Sequence, residues 1–84
     1  MQKTIYTRQS KILREKFIEF RQQASLSQRE LAKKMNREHS FIARIELGER
    51  RVDLAEFYWL CKACGISPEK AAVQILKEFE KVNI

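Results

Sequence analysis

The chain reads as an all-α protein of five helices, on three observations. Apolar residues recur every three to four positions, and no run alternates as a strand would. The single Pro and both Gly fall between these periodic segments. Two capping-box patterns, Ser27 with Glu30 and Asp53 with Glu56, mark helix starts: the first side chain accepts from the third residue's amide, and the carboxylate reaches back.

The elements follow in order. Helix 1 is expected from near Ser10 to Ala24, with Ile12, Leu13, Phe17 and Phe20 inward and Arg8, Lys11, Arg14 and Lys16 mainly outside. A short Ser25-Leu26-Ser27 link leads to helix 2, which opens at Gln28 and turns Leu31, Ala32 and Met35 inward. Asn36 stands where the chain must turn sharply, and Asn tolerates the left-handed conformation well. Helix 3 is expected from about Glu38 to Leu47, buried through Ile42 and Ile45, with Leu47 or Ala43 at its margins, and Gly48 suits its C′ position. Helix 4 opens at Asp53 with Leu54, Phe57, Leu60, Cys61 and Cys64 on its core side, and Gly65 ends it. Ser67-Pro68 opens helix 5, Pro being favoured at the first helical position. Residues 1–84 are expected to form one domain, with helix 5 and the tail at about 68–84.

Charge is unevenly spread. Residues 1–51 hold 13 basic and 6 acidic side chains, whereas residues 52–84 hold 4 and 5, within a net charge of +6. The surplus lies on the half containing helices 2 and 3, as attraction to phosphates requires. No apolar run approaches the roughly 20 residues of a bilayer span. The start, Met1 to Arg8, lacks an apolar signal core. The expectation is a soluble intracellular protein with no membrane contact.

Helices 2 and 3, at about residues 28–47, have the spacing of a helix-turn-helix, whose second helix enters the DNA major groove. Arg44 is its most informative outer residue, because a guanidinium can bond two acceptors on a guanine edge. His39 and Ser40, in the first turn, are placed for bases or phosphates, and the amides there can accept a phosphate.

These residues resemble the phage repressor and Cro-type helix-turn-helix proteins, often called the XRE family. The resemblance rests on Gln28, Ala32, Ile42, Ile45, Glu46 and the Gly48-Glu49-Arg50-Arg51 turn. It extends through Asp53-Leu54 to Ala63-Cys64-Gly65-Ile66 and back to Phe20-Arg21, over roughly residues 12–70. It implies a five-helix lambda-repressor-like domain that binds double-stranded DNA and regulates transcription, in the cytoplasm and on the nucleoid of a bacterial cell, or in a phage. It implies that Gln28 touches a phosphate and that His39, Ser40 and Arg44 read bases, with Glu38 at the groove entrance. Arg29, Arg37, Phe41, Arg50 and Arg51 complete the phosphate side. Arg21 and Glu46 take the positions of an ion pair tying helix 1 to helix 3.

Four positions of the helix-turn-helix depart from the family pattern. Asn36-Arg37 replaces Gly and an apolar residue, so Arg37 must reach outward, to a phosphate if one is near. Glu38 replaces a Ser or Thr cap and repels phosphate unless it accepts from a cytosine amine or pairs with an Arg. Phe41 is larger than the usual polar residue, and either meets a thymine methyl or shields the helix base.

Helix 4 carries Phe57-Tyr58-Trp59-Leu60, so Tyr58 and Trp59 do not both face inward. Val73, Ile75, Leu76, Phe79, Val82 and Ile84 make helix 5 and the tail apolar. Together they point to an interface through Tyr58, Trp59, Ile75, Leu76 and Phe79, read as a homodimer on a pseudo-palindromic operator. The alternative is that helix 5 folds back over Trp59. Cys61 and Cys64 have zinc-site spacing but lack two further ligands, His39 being the one remaining candidate, so both read as core thiols. No catalytic constellation, Gly-rich phosphate loop, cofactor, metal or small-molecule site is expected. The main reading is a transcriptional repressor, with an activator as a variant that only the place of the operator relative to a promoter separates from it. Its rivals are an antitoxin or adaptor whose main partner is a protein, and a non-specific nucleic-acid binder.

Overall fold

In the computed structural model, which describes residues 3–82, the chain forms α1 (Lys3–Gln23), α2 (Gln28–Lys34), α3 (Ser40–Glu46), α4 (Leu54–Ala63) and α5 (Pro68–Glu80). No strand occurs among the described residues. Ile84 lies outside them. None of the described helices is long and apolar enough to cross a membrane.

The helix starts are set by side chains. Ser27 accepts from the Glu30 amide at 3.0 Å while Glu30 accepts from the Ser27 amide at 2.8 Å. Asp53 and Glu56 do the same at the head of α4, at 2.7 and 3.1 Å. Ser67 caps α5 ahead of Pro68. The helix ends share one device. After α1, α2, α3 and α4 the chain turns through Ser25, Asn36, Gly48 and Gly65, all at positive φ, between 57° and 81°. Each turn closes a Schellman pair of amide bonds; after α2 these are Asn36 to Lys33 and Arg37 to Ala32, at 3.0 and 2.9 Å.

The core gathers Phe17 and Phe20 of α1, Leu31 and Ala32 of α2, and Phe41, Ile42 and Ile45 of α3. It is completed by Leu60, Cys61 and Cys64 of α4 with Ala71 and Ile75 of α5. Phe17 meets Phe57 with ring centroids 6.0 Å apart. Both thiols are buried, and burial pushes the Cys61 thiol up to about 11 and raises that of Cys64. They pack as small apolar groups.

Several boundaries and faces differ from expectation. α1 begins at Lys3 rather than near Ser10. Residues 3 to 9 contain neither Gly nor Pro, so a helix nucleated further on propagates back through them. α3 begins at Ser40, two residues later than expected, because Glu38 and His39 form the preceding turn, with the Phe41 amide bonded to the Glu38 carbonyl at 3.0 Å. Leu47 and Leu54 are exposed, at 66% and 82%, since each lies where no other helix covers it. Trp59 is also exposed, so α5 does not fold over it.

Candidate nucleic-acid interface

The α2–α3 pair is braced from behind. Leu31 and Ala32 pack beneath Phe41, Ile42 and Ile45, which fixes the roll of α3 and leaves His39 and Arg44 exposed and Ser40 half-buried. Glu46 anchors the far end of α3. It accepts from Arg21 Nε at 2.7 Å, Arg21 Nη2 at 3.1 Å and Gln28 Nε2 at 2.7 Å. Arg21 Nη1 also donates to the Leu26 carbonyl at 3.0 Å, so its guanidinium bonds on all three nitrogens. The Glu46 side chain is only 7% exposed, and this knot joins α1, α2 and α3.

The outer surface of α3 is held more loosely. Arg44 lies 3.8 Å from Glu38, and both side chains are at least half exposed. Such a pair contributes little to stability and exchanges readily for another acceptor. His39 precedes the helix and makes no side-chain cap bond. Arg29 is exposed on the first turn of α2.

A second knot lies on the edge formed by the α2–α3 turn and the α3–α4 loop. Arg50 donates from Nη1 and Nη2 to the two Glu56 oxygens at 2.9 and 2.8 Å. Arg37 Nη1 adds a bond to Glu56 Oε2 at 3.1 Å. Both guanidinium groups lie over the Phe41 ring, their carbons 4.0 and 4.7 Å from its centroid. The Arg50 hydrogen bonds, with the Asp53 amide and Arg37, hold the Glu56 carboxyl down at about 2. Arg51 is exposed beside this knot, its carbonyl accepting from Arg50 Nη1 at 2.7 Å. Gly48 makes room at the start of the loop: at φ +81°, a Cβ there would stand 2.6 Å from Arg14 Nη1.

Two expected sites need correction. Phe41 is 2% exposed, which removes it from the phosphate side: it shares the buried arc of α3 with Ile42 and Ile45, and the two arginines cover its ring. Ile75 is 4% exposed and belongs to the core rather than to an intermolecular surface, since the 71-75-79 face of α5 is the one turned inward. Phe79, half-buried, packs against that core. Tyr58, Trp59 and Leu76 are exposed, joined by Leu54 and Val73. Arg37 and Arg50 are engaged with Glu56, a partner that sequence reasoning recognised only as a helix cap. The signal available was the second acidic valence of a capping carboxylate within reach of two arginines.

A short helix that turns Arg44 and the half-buried Ser40 outward, locked at a fixed angle on a second helix and flanked by arginines, is the frame of a helix-turn-helix DNA-binding protein. The profile of the helix-turn-helix domain family matches residues 13–73. Among solved structures, an XRE-family like protein from Pseudomonas syringae pv. tomato str. DC3000 is similar at 32% identity, with a TM-score of 0.85, over 90% of this chain and 93% of that one. No curated protein sequence matches the chain significantly. The chain belongs to the XRE-type family of helix-turn-helix DNA-binding proteins. It is a DNA-binding transcription regulator and not an enzyme.

Proposed function

We propose that the chain is a sequence-specific regulator that binds a pseudo-palindromic operator as a homodimer and represses transcription where that operator overlaps a promoter. Residues 1–84 act as one DNA-binding domain, in the cytoplasm and on the nucleoid of a bacterial cell. The observation that carries the reading is the contrast on α3 between a rigidly anchored back, held by Glu46, and an outer face bearing a loosely paired Arg44. Arg44 reads a guanine edge, Ser40 and His39 read neighbouring bases, and Glu38 accepts from a cytosine amine once Arg44 leaves it. Gln28 turns its second amide N–H to a phosphate, with Arg29, Arg37, Arg50 and Arg51 along the backbone.

A second copy supplies the other half-site. Tyr58, Trp59 and Leu76, with Leu54 and Val73, are the exposed apolar residues that support this assignment. The same surface favours the alternative of an antitoxin or adaptor that holds another protein. Light scattering of the purified chain separates the two: a concentration-dependent dimer supports the first, and a strict monomer supports the second.

Selection of duplexes from a random pool at physiological salt, with Arg44→Ala in parallel, tests the main reading. Enrichment of an inverted repeat, altered at defined base pairs by the substitution, is expected. Equal recovery of all sequences by both proteins would reduce the chain to a non-specific nucleic-acid binder.

A further inference from the structure

Glu56 does more than cap α4. Its carboxylate, 14% exposed, receives Arg50 from the α3–α4 loop and Arg37 from the α2–α3 turn, so three segments meet on one side chain. Two guanidinium groups this close repel each other and scatter over many rotamers unless something fixes them. Here the shared carboxylate and the Phe41 ring beneath both do so. The cluster keeps a net charge of +1. Arg37 makes one hydrogen bond, to Glu56, of the five its guanidinium can donate, and its side chain is 38% exposed.

We propose that Glu56 is a positioning residue for DNA binding: with the Phe41 ring it holds Arg37 and Arg50 as a preformed two-guanidinium clamp on the phosphate backbone. The inference rests on the phosphate-contacting reading of those two arginines. Preorganisation raises affinity because the side chains are ordered before the DNA arrives.

The sign of one substitution separates this role from simple charge. Glu56→Gln removes a negative charge from a DNA-facing edge, so electrostatics alone makes binding tighter and its salt dependence steeper. Loss of positioning does the reverse. Gln still completes a capping box, so the α4 start is retained.

The experiment measures affinity for a fluorescein-labelled duplex of mixed sequence across a sodium chloride series, which reports backbone contacts without requiring a known operator. Glu56→Gln is expected to weaken binding about tenfold, the result of two side chains losing their order, and to lower the salt slope by about one. Arg37→Ala/Arg50→Ala should weaken binding, and adding Glu56→Gln to that pair should cause no further loss. Tighter, steeper binding by Glu56→Gln overturns the positioning role and makes Glu56 a repulsive charge. Unchanged affinity in the double arginine variant overturns the phosphate reading beneath it, while leaving base reading by Arg44 to its own test. If Glu56→Gln melts at a lower temperature than can be assayed, Arg37→Lys/Arg50→Lys decides. It preserves charge and Glu56 but lacks the planar fork, so weakened binding supports the clamp and unchanged binding removes it.

Discussion

Glu46 and Glu56 are each a carboxylate taken by more than one donor, yet they do different work. The donors to Glu46 come from α1 and the first turn of α2, whose backbones are fixed by packing, and Arg21 bonds through all three nitrogens, the third to the Leu26 carbonyl. The donors to Glu56 come from a turn and a loop, and Arg37 has hydrogen-bonding capacity left over. A knot whose arginine is engaged at every nitrogen, between packed helices, holds the fold. One with spare donors, at the edge of the outer α3 surface, is available to a ligand. The contrast predicts that damage to the first is read in stability alone and damage to the second in DNA binding as well.

The largest effect is therefore expected from Arg21→Ala, which leaves the nearly buried Glu46 with Gln28 as its remaining partner. Breaking one side of a buried pair costs about 3–5 kcal/mol, and Arg21→Ala should approach the lower figure in urea denaturation because the pair is not wholly shut from water. A variant with unchanged stability and impaired DNA binding would break the comparison. Next comes Arg44→Ala, expected to cost about 1–3 kcal/mol of operator affinity and to relax one base pair. Its stability should stay within about 0.5 kcal/mol of the parent, as for most surface substitutions away from special features. An equal loss for every sequence would assign Arg44 to phosphate instead.

How much of this was legible in the sequence depends on what each residue had to meet. The capping boxes were legible because they are local, three residues apart and self-completing. The Arg21 and Glu46 positions were legible through family resemblance, although 25 residues separate them. Glu56 was legible as a cap and not as a hub, since nothing in residues 53–56 says that Arg37 lies beside them. Phe41 and Ile75 were misassigned for one reason: an apolar arc wider than one stripe admits more than one inward direction, and neighbouring helices choose among them. On α5, Ala71, Ile75 and Phe79 turned in, leaving Val73 and Leu76 outside.

Acid sharpens the comparison without mutation. The Glu56 carboxyl lies at about 2 in the folded protein against an ordinary 4.5. A depressed folded value means that its stabilising contribution is complete above about pH 4.5 and is lost as pH falls toward 2. Melting temperature should fall across that window, and the fall should be shallower in Glu56→Gln, which has no proton to gain. Parallel pH profiles for the two proteins would mean that the knot contributes nothing to the folded state.

The smallest effects are expected at the turns that lead into the two knots. Ser25 precedes Leu26, whose carbonyl Arg21 holds, and Asn36 precedes Arg37; both adopt positive φ, at 58° and 57°. A left-handed residue with a Cβ is strained by roughly 1–2 kcal/mol, part of which Gly returns as greater freedom in the unfolded chain. Ser25→Gly should accordingly raise stability by about 0.5–1 kcal/mol, and Asn36→Gly by less, because Asn already tolerates this region. The two variants differ in what else they touch. Relief at Ser25 acts on the Glu46 knot and should leave DNA affinity alone. Relief at Asn36 loosens the backbone that aims Arg37, so a small gain in stability should come with a small loss of affinity. If both variants bind DNA like the parent, Arg37 is held by Glu56 and Phe41 alone, and the turn takes no part in placing it.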